Sequence, residues 1–132
     1  MKHWTENDLL NAGYTLENAK IDSVDLSMED HGCLILKMVL KGGGWGCVYG
    51  GYSLGHGYVG ASDDFIDGSS AGMEYIIRIM NTVGSPTFND MVDRYVRVAR
   101  KHGECLTIIG NILSDTWFDA KKFFLEKEGE DK

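Results

Sequence analysis

The clearest periodic pattern in the chain is an apolar stripe between residues 70 and 84. Four apolar residues recur at the spacing i, i+3, i+4 and i+7, namely Met73, Ile76, Ile77 and Met80. This spacing predicts an amphipathic helix, which begins at Ser70 and ends at Gly84, shortly before Pro86. We expect one long helix there, with the apolar stripe facing the core.

The segment before this helix alternates in a way that is typical of strands. Residues 19–28 and 32–40 are separated by a polar turn at residues 29–31, which predicts a hairpin. Residues 41–44 predict a second reversal, after which residues 45–54 run back as a third strand with glycines that weaken or bulge it. These runs predict a three-stranded meander, and residues 55–69 have the composition of a loop.

Both ends of the chain carry helix signals. Thr5 and Asp8 form a capping-box pattern and Gly13 follows, which predicts a helical arm over residues 1–16. Near the other end, Asp115 is a candidate cap for a final helix. That helix would bury four apolar residues, namely Trp117, Phe118, Phe124 and Leu125. We expect residues 126–132 to form a frayed, charged tail.

Between the two predicted helices, one more helical turn is expected over residues 87–93, followed by strand-like runs over residues 95–99 and 105–112. The order of elements predicts an α+β fold: an antiparallel sheet of about five strands, a meander plus a hairpin, with the long helix and the C-terminal helix packed on one face. The 132 residues show no internal repeat or linker. We therefore expect a single globular domain over residues 1–132.

Composition and charge restrict the classes of function. A net charge of −7 argues against general nucleic-acid binding, because contact with phosphates requires a concentrated basic face. No apolar run is long enough for a membrane span and no secretory signal is evident, so we expect a cytoplasmic protein without a membrane partner. Cys33, Cys47 and Cys105 form no CxxC pair, which favours buried free thiols.

Nine of the seventeen glycines fall between Gly42 and Gly60, where they alternate with aromatic and imidazole rings. Glycine permits close approach to the backbone and the rings offer flat surfaces, so this segment predicts either a binding surface or a core and subunit interface. It contains GxGxxG at Gly55, Gly57 and Gly60, but acidic residues follow and the strand–helix–strand context is missing. A dinucleotide loop is not expected.

Catalytic and metal-binding patterns are weak. Asp63, Asp64 and Asp67 lack the spacing of a calcium loop, and the histidines lack the spacing of metal ligands. Cys47 and His56 share the glycine-rich segment, yet no nucleophile elbow accompanies them. We therefore predict no catalytic residue, metal or cofactor, and keep a small nucleotide-acting enzyme as an alternative.

Three arginines in seven residues form the sharpest charge feature. On a strand, Arg94 and Arg100 would share the face of Val96 and Val98, whereas Arg97 would lie on the other face. An arginine beside an aromatic ring suits a flat anionic ligand, although ion pairing with nearby acidic residues would account for the same pattern. The candidate ligand-binding residues are Trp45, Tyr49, Tyr52, His56, Arg97 and Arg100.

Several short motifs, spread from about Glu17 to Phe124, carry a resemblance. They are EDHG at 29–32, GGY at 50–52, GME at 72–74, YVRV at 95–98, and IGN at 109–111 followed by DTWF at 115–118. Together they resemble small proteins encoded by phages and prophages. The resemblance implies an accessory protein that counters host defence.

Two binding mechanisms are consistent with this expectation. A protein that sequesters a nucleotide signal would place Tyr49 or Tyr52 against a base and Arg97 or Arg100 against phosphate, at the interface of a homo-oligomer. A protein that blocks a defence effector such as a CRISPR nuclease would present its acidic face to a basic groove. A structural or oligomeric phage protein without a small ligand is a further alternative.

Overall fold

The computed structural model describes residues 3–130, apart from the side chains of Asp30 and Glu130. Within this range the chain forms three α-helices and one seven-stranded antiparallel sheet. The elements in chain order are α1 (Glu6–Asn11), β1 (Thr15–Asp30), β2 (Cys33–Lys41), β3 (Gly46–His56), β4 (Asp67–Gly68), α2 (Ser70–Val83), β5 (Tyr95–Arg100), β6 (Ile108–Gly110), β7 (Trp117–Asp119) and α3 (Ala120–Glu130). The α+β class is confirmed.

The sheet has the order β4-β3-β2-β1-β5-β6-β7. The predicted meander corresponds to β1, β2 and β3, and the predicted hairpin to β5 and β6. The expected number of about five strands was too low, because β4 has two residues and β7 has three. Strands this short are too brief to give a recognisable alternating pattern.

The N-terminal helix is held by its predicted cap. The Thr5 hydroxyl accepts a hydrogen bond from the Asp8 backbone, and the Asp8 carboxylate accepts one from the Thr5 backbone. The arm is shorter than residues 1–16, because β1 already begins at Thr15. Leu9 packs with Ala99 and Ile108 in a small cluster that is separate from the main core.

The main core lies between the sheet and helices α2 and α3. It contains strand residues such as Met38 and Val98 together with Tyr75 and Ile79 of α2 and Phe123 of α3. A helix that crosses a sheet in this way buries one face of each element. The predicted packing of the long helix and the C-terminal helix against the sheet is thus confirmed.

The C-terminal helix begins later than Asp115, at Ala120. Trp117 and Phe118 instead form β7, where alternation places Trp117 in the small cluster and Phe118 in the main core. Leu125, expected to be buried, is 58% exposed. Helix α3 continues to Glu130, so residues 126–130 are helical rather than frayed; residues 131–132 lie outside the described part.

Helix α2 has the predicted bounds but faces the sheet with a different side. Tyr75 and Ile79 are fully buried, whereas Met73 is 62% and Ile77 59% exposed. The reason lies at Gly72, where an added Cβ would meet the Leu54 backbone oxygen at 2.6 Å. Because Gly72 lets the helix approach β3 on that side, the helix buries its Tyr75 face, leaves Met73 and Ile77 outside, and packs Ile76 and Met80 at the edge of the core.

Candidate functional site: a pocket at Arg100

Arg100 and Trp45 lie together where β5 ends and β3 begins. The guanidinium carbon of Arg100 is 4.3 Å from the centroid of the Trp45 ring, within the range of a cation–π interaction. Glu17 joins them: one carboxylate oxygen accepts from Arg100 Nη1 at 2.8 Å and the other accepts from Trp45 Nε1 at 3.2 Å. Three side chains from three strands or strand ends therefore hold one another in place.

The turn before β3 explains how Trp45 reaches this position. The Gly42 backbone N–H donates to the Trp45 carbonyl at 3.0 Å, and Gly44 adopts a φ of 80°, which favours glycine. A Cβ at Gly42 would overlap the Trp45 ring. Part of the glycine-rich segment thus serves to fold this ring back onto the sheet.

A cavity of about 320 Å³ opens beside Arg100. Its lining residues are Thr15, Glu17, Arg100, Lys101, His102, Gly103, Glu104 and Leu106. The side chain of Arg100 is 41% exposed, and its Nε and Nη2 donate to no described residue. A guanidinium fixed on an aromatic ring with donors still available is suited to bidentate contact with phosphate or carboxylate oxygens.

The charge of Arg100 also acts on Cys47, the thiol of β3. Burial raises the pKa of Cys47, and the nearby Arg100 charge lowers it only in part. The thiol therefore stays protonated near neutral pH, which makes it a poor nucleophile. The arrangement is chemically suited to hold an anion and offers no activated cysteine.

Cys47 and His56 lie at opposite ends of β3. Cys47 pairs with Leu40 near the end of β2, and His56 pairs with Cys33 at its beginning. With about 3.3 Å per residue, nine strand residues separate them by roughly 30 Å. The two side chains do not form a nucleophile–base pair within this chain.

The tyrosines predicted as ligand contacts belong to the core. Tyr49 is fully buried and its hydroxyl donates to the Thr107 carbonyl at 3.0 Å. Tyr52 is half-buried and its ring stacks on Phe124 with the centroids 4.7 Å apart. Neither ring lies at the Arg100 pocket, and His56 is at the far end of the same strand.

Arg97 lies on the opposite face of the sheet from Arg100, as alternation predicts. Its guanidinium donates to the carbonyls of Asn111 and Ser114, at 2.9 and 2.8 Å, and lies 4.5 Å from the centroid of Trp117. Only 18% of its side chain is exposed. The structure thus brings together Trp45 and Arg100 of the predicted set and separates Arg97 from them.

Sequence reasoning missed Glu17, Lys101 and His102 as members of this site. Glu17 lies in the strand next to Arg100, but only the register of β1 and β5, with Thr15 opposite Arg100, brings the two together. Lys101 and His102 directly follow Arg100, and a cluster of basic residues at the end of a strand was the available signal. Among the described residues, no three His, Cys, Asp or Glu side chains group as metal ligands.

Comparison with family models, curated proteins and solved structures finds no match to this chain. The resemblance to phage and prophage proteins therefore stays a prediction. Among the described residues, none of the helices has the length and apolar character needed to cross a membrane.

Proposed function

We propose that this protein is a phage accessory protein that antagonises host immunity by binding, and that it sequesters a phosphorylated nucleotide signal in the Arg100 pocket. One observation carries the proposal: Arg100 is stacked on Trp45, fixed by Glu17, and lines a cavity of about 320 Å³. That volume lies at the lower end of the range of small-ligand sites.

The chemistry around the cavity supports an anionic ligand. Arg100 and Lys101 supply positive charge, His102 supplies a ring and a further donor, and Gly103 exposes backbone in the turn. Phosphate oxygens would bind the free guanidinium donors. The acidic residues Glu17 and Glu104 also line the cavity, and they would favour hydroxyl or amino groups of the same ligand.

Isothermal titration calorimetry against a panel of cyclic dinucleotides, cyclic trinucleotides and ADP-ribose isomers tests this proposal. We expect one class to bind, and Arg100→Ala to weaken that binding by about 10- to 100-fold, the effect of losing charge-assisted hydrogen bonds. Arg100→Lys retains the charge but loses the planar fork, so it should recover only part of the affinity.

Arg94→Ala is the matched control for Arg100→Ala. Arg94 donates to the carbonyls of Asp90 and Gly84 and does not line the cavity, so its loss removes the same charge elsewhere. Thermal unfolding of each variant verifies that folding is retained. Absence of heat with every nucleotide, or equal losses in Arg94→Ala and Arg100→Ala, would contradict nucleotide sequestration at this pocket.

The proposal includes a homo-oligomer in which a second copy covers the outer side of α2. The support is the exposed apolar stripe of Met73 and Ile77, which continues over the half-buried Ile76 and Met80. Light scattering should give a mass above that of one chain, and the double change Met73→Ser and Ile77→Ser should reduce it. A monomeric wild-type protein at micromolar concentration would contradict this part.

The alternatives remain predictions. They are a blocker of a defence effector such as a CRISPR nuclease, a nucleotide-acting enzyme and a structural phage protein. An enzyme would show turnover of a nucleotide, which chromatography of the calorimetry samples would detect. Effector blocking requires a partner protein instead of a small ligand.

A further inference from the structure

A second exposed feature lies at the opposite end of β3 from Trp45. The loop over residues 57–66, which follows β3, carries four large apolar side chains that are more than half exposed: Tyr58, Val59, Phe65 and Ile66. Val59 is 95% exposed. We call these four residues, together with Met28 of β1, the apolar tip.

Backbone hydrogen bonds fix the loop of the apolar tip to the end of the sheet. The Gly57 backbone N–H donates to the Gly32 carbonyl at 2.7 Å, and His56 pairs with Asp67 of β4. Within the loop, the ring centroids of Tyr58 and Phe65 are 6.2 Å apart. The loop therefore presents its apolar side chains from a fixed base.

The charge around the apolar tip is of one sign. Residues 27–35 and 53–68, which form this end of the sheet and the loop, contain five acidic residues and no Lys or Arg: Glu29, Asp30, Asp63, Asp64 and Asp67. The other fifteen acidic residues share the rest of the chain with all thirteen Lys and Arg, and one of them, Asp22, pairs with Lys41 near the opposite end of the sheet. Five of the seven excess negative charges are thus located at this end.

We propose that the apolar tip docks into a basic groove of a partner protein, with its apolar side chains in pockets of that groove. An exposed apolar patch of this kind marks an interaction site, and the acidic residues around it select a basic partner and accelerate its association. The proposal goes beyond nucleotide sequestration because it uses no residue of the Arg100 pocket.

A second copy of this chain is a poor occupant for the same surface. Two tips would bring together two ends that carry five acidic residues each. The remainder of the chain carries fifteen acidic residues against thirteen Lys and Arg, so it offers no excess of basic residues to attract the tip. Charge complementarity therefore favours a different, basic protein.

The test uses two short fluorescent peptides as probes, one alternating Lys with Leu and one alternating Lys with Ser at the same charge. We expect the Lys/Leu peptide to bind this chain at least about tenfold more tightly, and its affinity to fall as the salt concentration rises. Amide chemical shifts should change in residues 57–67 and at Met28. Shift changes confined to other regions would overturn the proposal.

Variants separate the apolar contribution from charge. Val59→Ser combined with Phe65→Ser should weaken binding of the Lys/Leu peptide by about tenfold. Leu113, which is 92% exposed, lies outside the apolar tip, so Leu113→Ser should not weaken this binding. Arg100→Ala should leave peptide binding unchanged, so this result is independent of the nucleotide pocket. The proposal would be overturned if the double variant bound the Lys/Leu peptide with unchanged affinity. It would also be overturned if the double variant were a monomer where the wild-type chain is an oligomer, because the tip would then bind a second copy.

Discussion

The Tyr75 hydroxyl of α2 lies directly against Gly50 of β3. An ideal Cβ at Gly50 would be 3.1 Å from that hydroxyl and would overlap the Leu36 carbonyl oxygen. Gly50 and its neighbour Gly51 have φ angles of 105° and 93°, and the pairing of β2 with β3 shifts register there. Two consecutive left-handed residues form a bulge, which lets the helix approach the sheet at this point.

Gly50→Ala should be one of the most destabilising single changes in β3. The alanine would have to adopt a positive φ, and its Cβ would overlap the Leu36 carbonyl oxygen. We therefore expect a loss of about 3 kcal/mol or more in the free energy of unfolding. Gly51→Ala faces open space at a similar φ, so it should lose only about 1 kcal/mol. Urea unfolding measures both, and equal losses would show that the overlap at Gly50 is relieved.

Tyr75→Phe should stabilise the protein. The Tyr75 hydroxyl is buried without a hydrogen-bond partner among the described residues, and burial raises the pKa of this tyrosine far above its usual value. Removing an unsatisfied polar group should add about 1 kcal/mol. Tyr49→Phe is the matched control, because it loses the hydrogen bond to the Thr107 carbonyl and should cost about 1 kcal/mol.

Thermal unfolding of the two tyrosine variants distinguishes an unsatisfied hydroxyl from a hydrogen-bonded one. The melting temperature should rise for Tyr75→Phe and fall for Tyr49→Phe. A fall of similar size in both would mean that the Tyr75 hydroxyl has a hydrogen-bond partner in solution.

Helix α2 shows what the sequence could predict and what it could not. Its ends follow from local chemistry: the Ser69 hydroxyl accepts from the Gly72 backbone, and Gly84 closes the helix with a φ of 86°. Its orientation depends on contact with Leu54, which is fifteen or more residues away in sequence. The helix has two apolar faces, one with Tyr75 and one with Met73, and either could pack against the sheet. Long-range packing decided between them.

In the candidate site, too, local features were predictable from the sequence and long-range contacts were not. Strand alternation correctly separated Arg97 from Arg100, because side-chain direction is a local property. The partner of Arg100 was not predictable, since the contact between Arg100 and Glu17 requires the register of β1 with β5. The sequence pattern makes Tyr49 and Tyr52 candidate ligand contacts and leaves core packing open, and only the packing of α2 and α3 places Tyr49 in the core and Tyr52 against it.

Arg97→Ala should reduce stability without changing ligand affinity. The Arg97 guanidinium holds the loop between β6 and β7 by donating to Asn111 and Ser114, and it stacks on Trp117. Losing these contacts should cost about 2 kcal/mol. Chemical denaturation measures the loss, and hydrogen exchange should show faster exchange in residues 111–116.

Arg97→Lys provides the control for charge. It keeps the positive charge but cannot bond both carbonyls in the planar geometry of the guanidinium, so it should recover little of the lost stability. Full recovery by lysine would show that charge alone is required. If Arg97→Ala changed the affinity for a nucleotide at temperatures where the variant is folded, Arg97 would be shown to contribute to ligand binding.

Glu74 links α2 to α3 and should make stability depend on pH in the acid range. Its carboxylate accepts from Arg78 Nε at 2.6 Å and pairs with Lys127 Nζ at 3.1 Å, and the hydrogen bonds from these two cations lower its pKa. Because the folded pKa lies below the unfolded one, the stabilisation is present above the unfolded pKa and is lost as pH falls through the folded pKa.

Glu74→Gln should therefore lower the melting temperature at pH 7, and the difference from wild type should shrink below about pH 4. Glu128→Gln, which removes the same charge from an exposed position on α3, should leave the melting temperature nearly unchanged at both pH values. Because the Glu74 side chain is about one third exposed, added salt should reduce the effect at pH 7. A difference that persists undiminished at low pH would mean that Glu74 stabilises the helix pair by packing rather than by its charge.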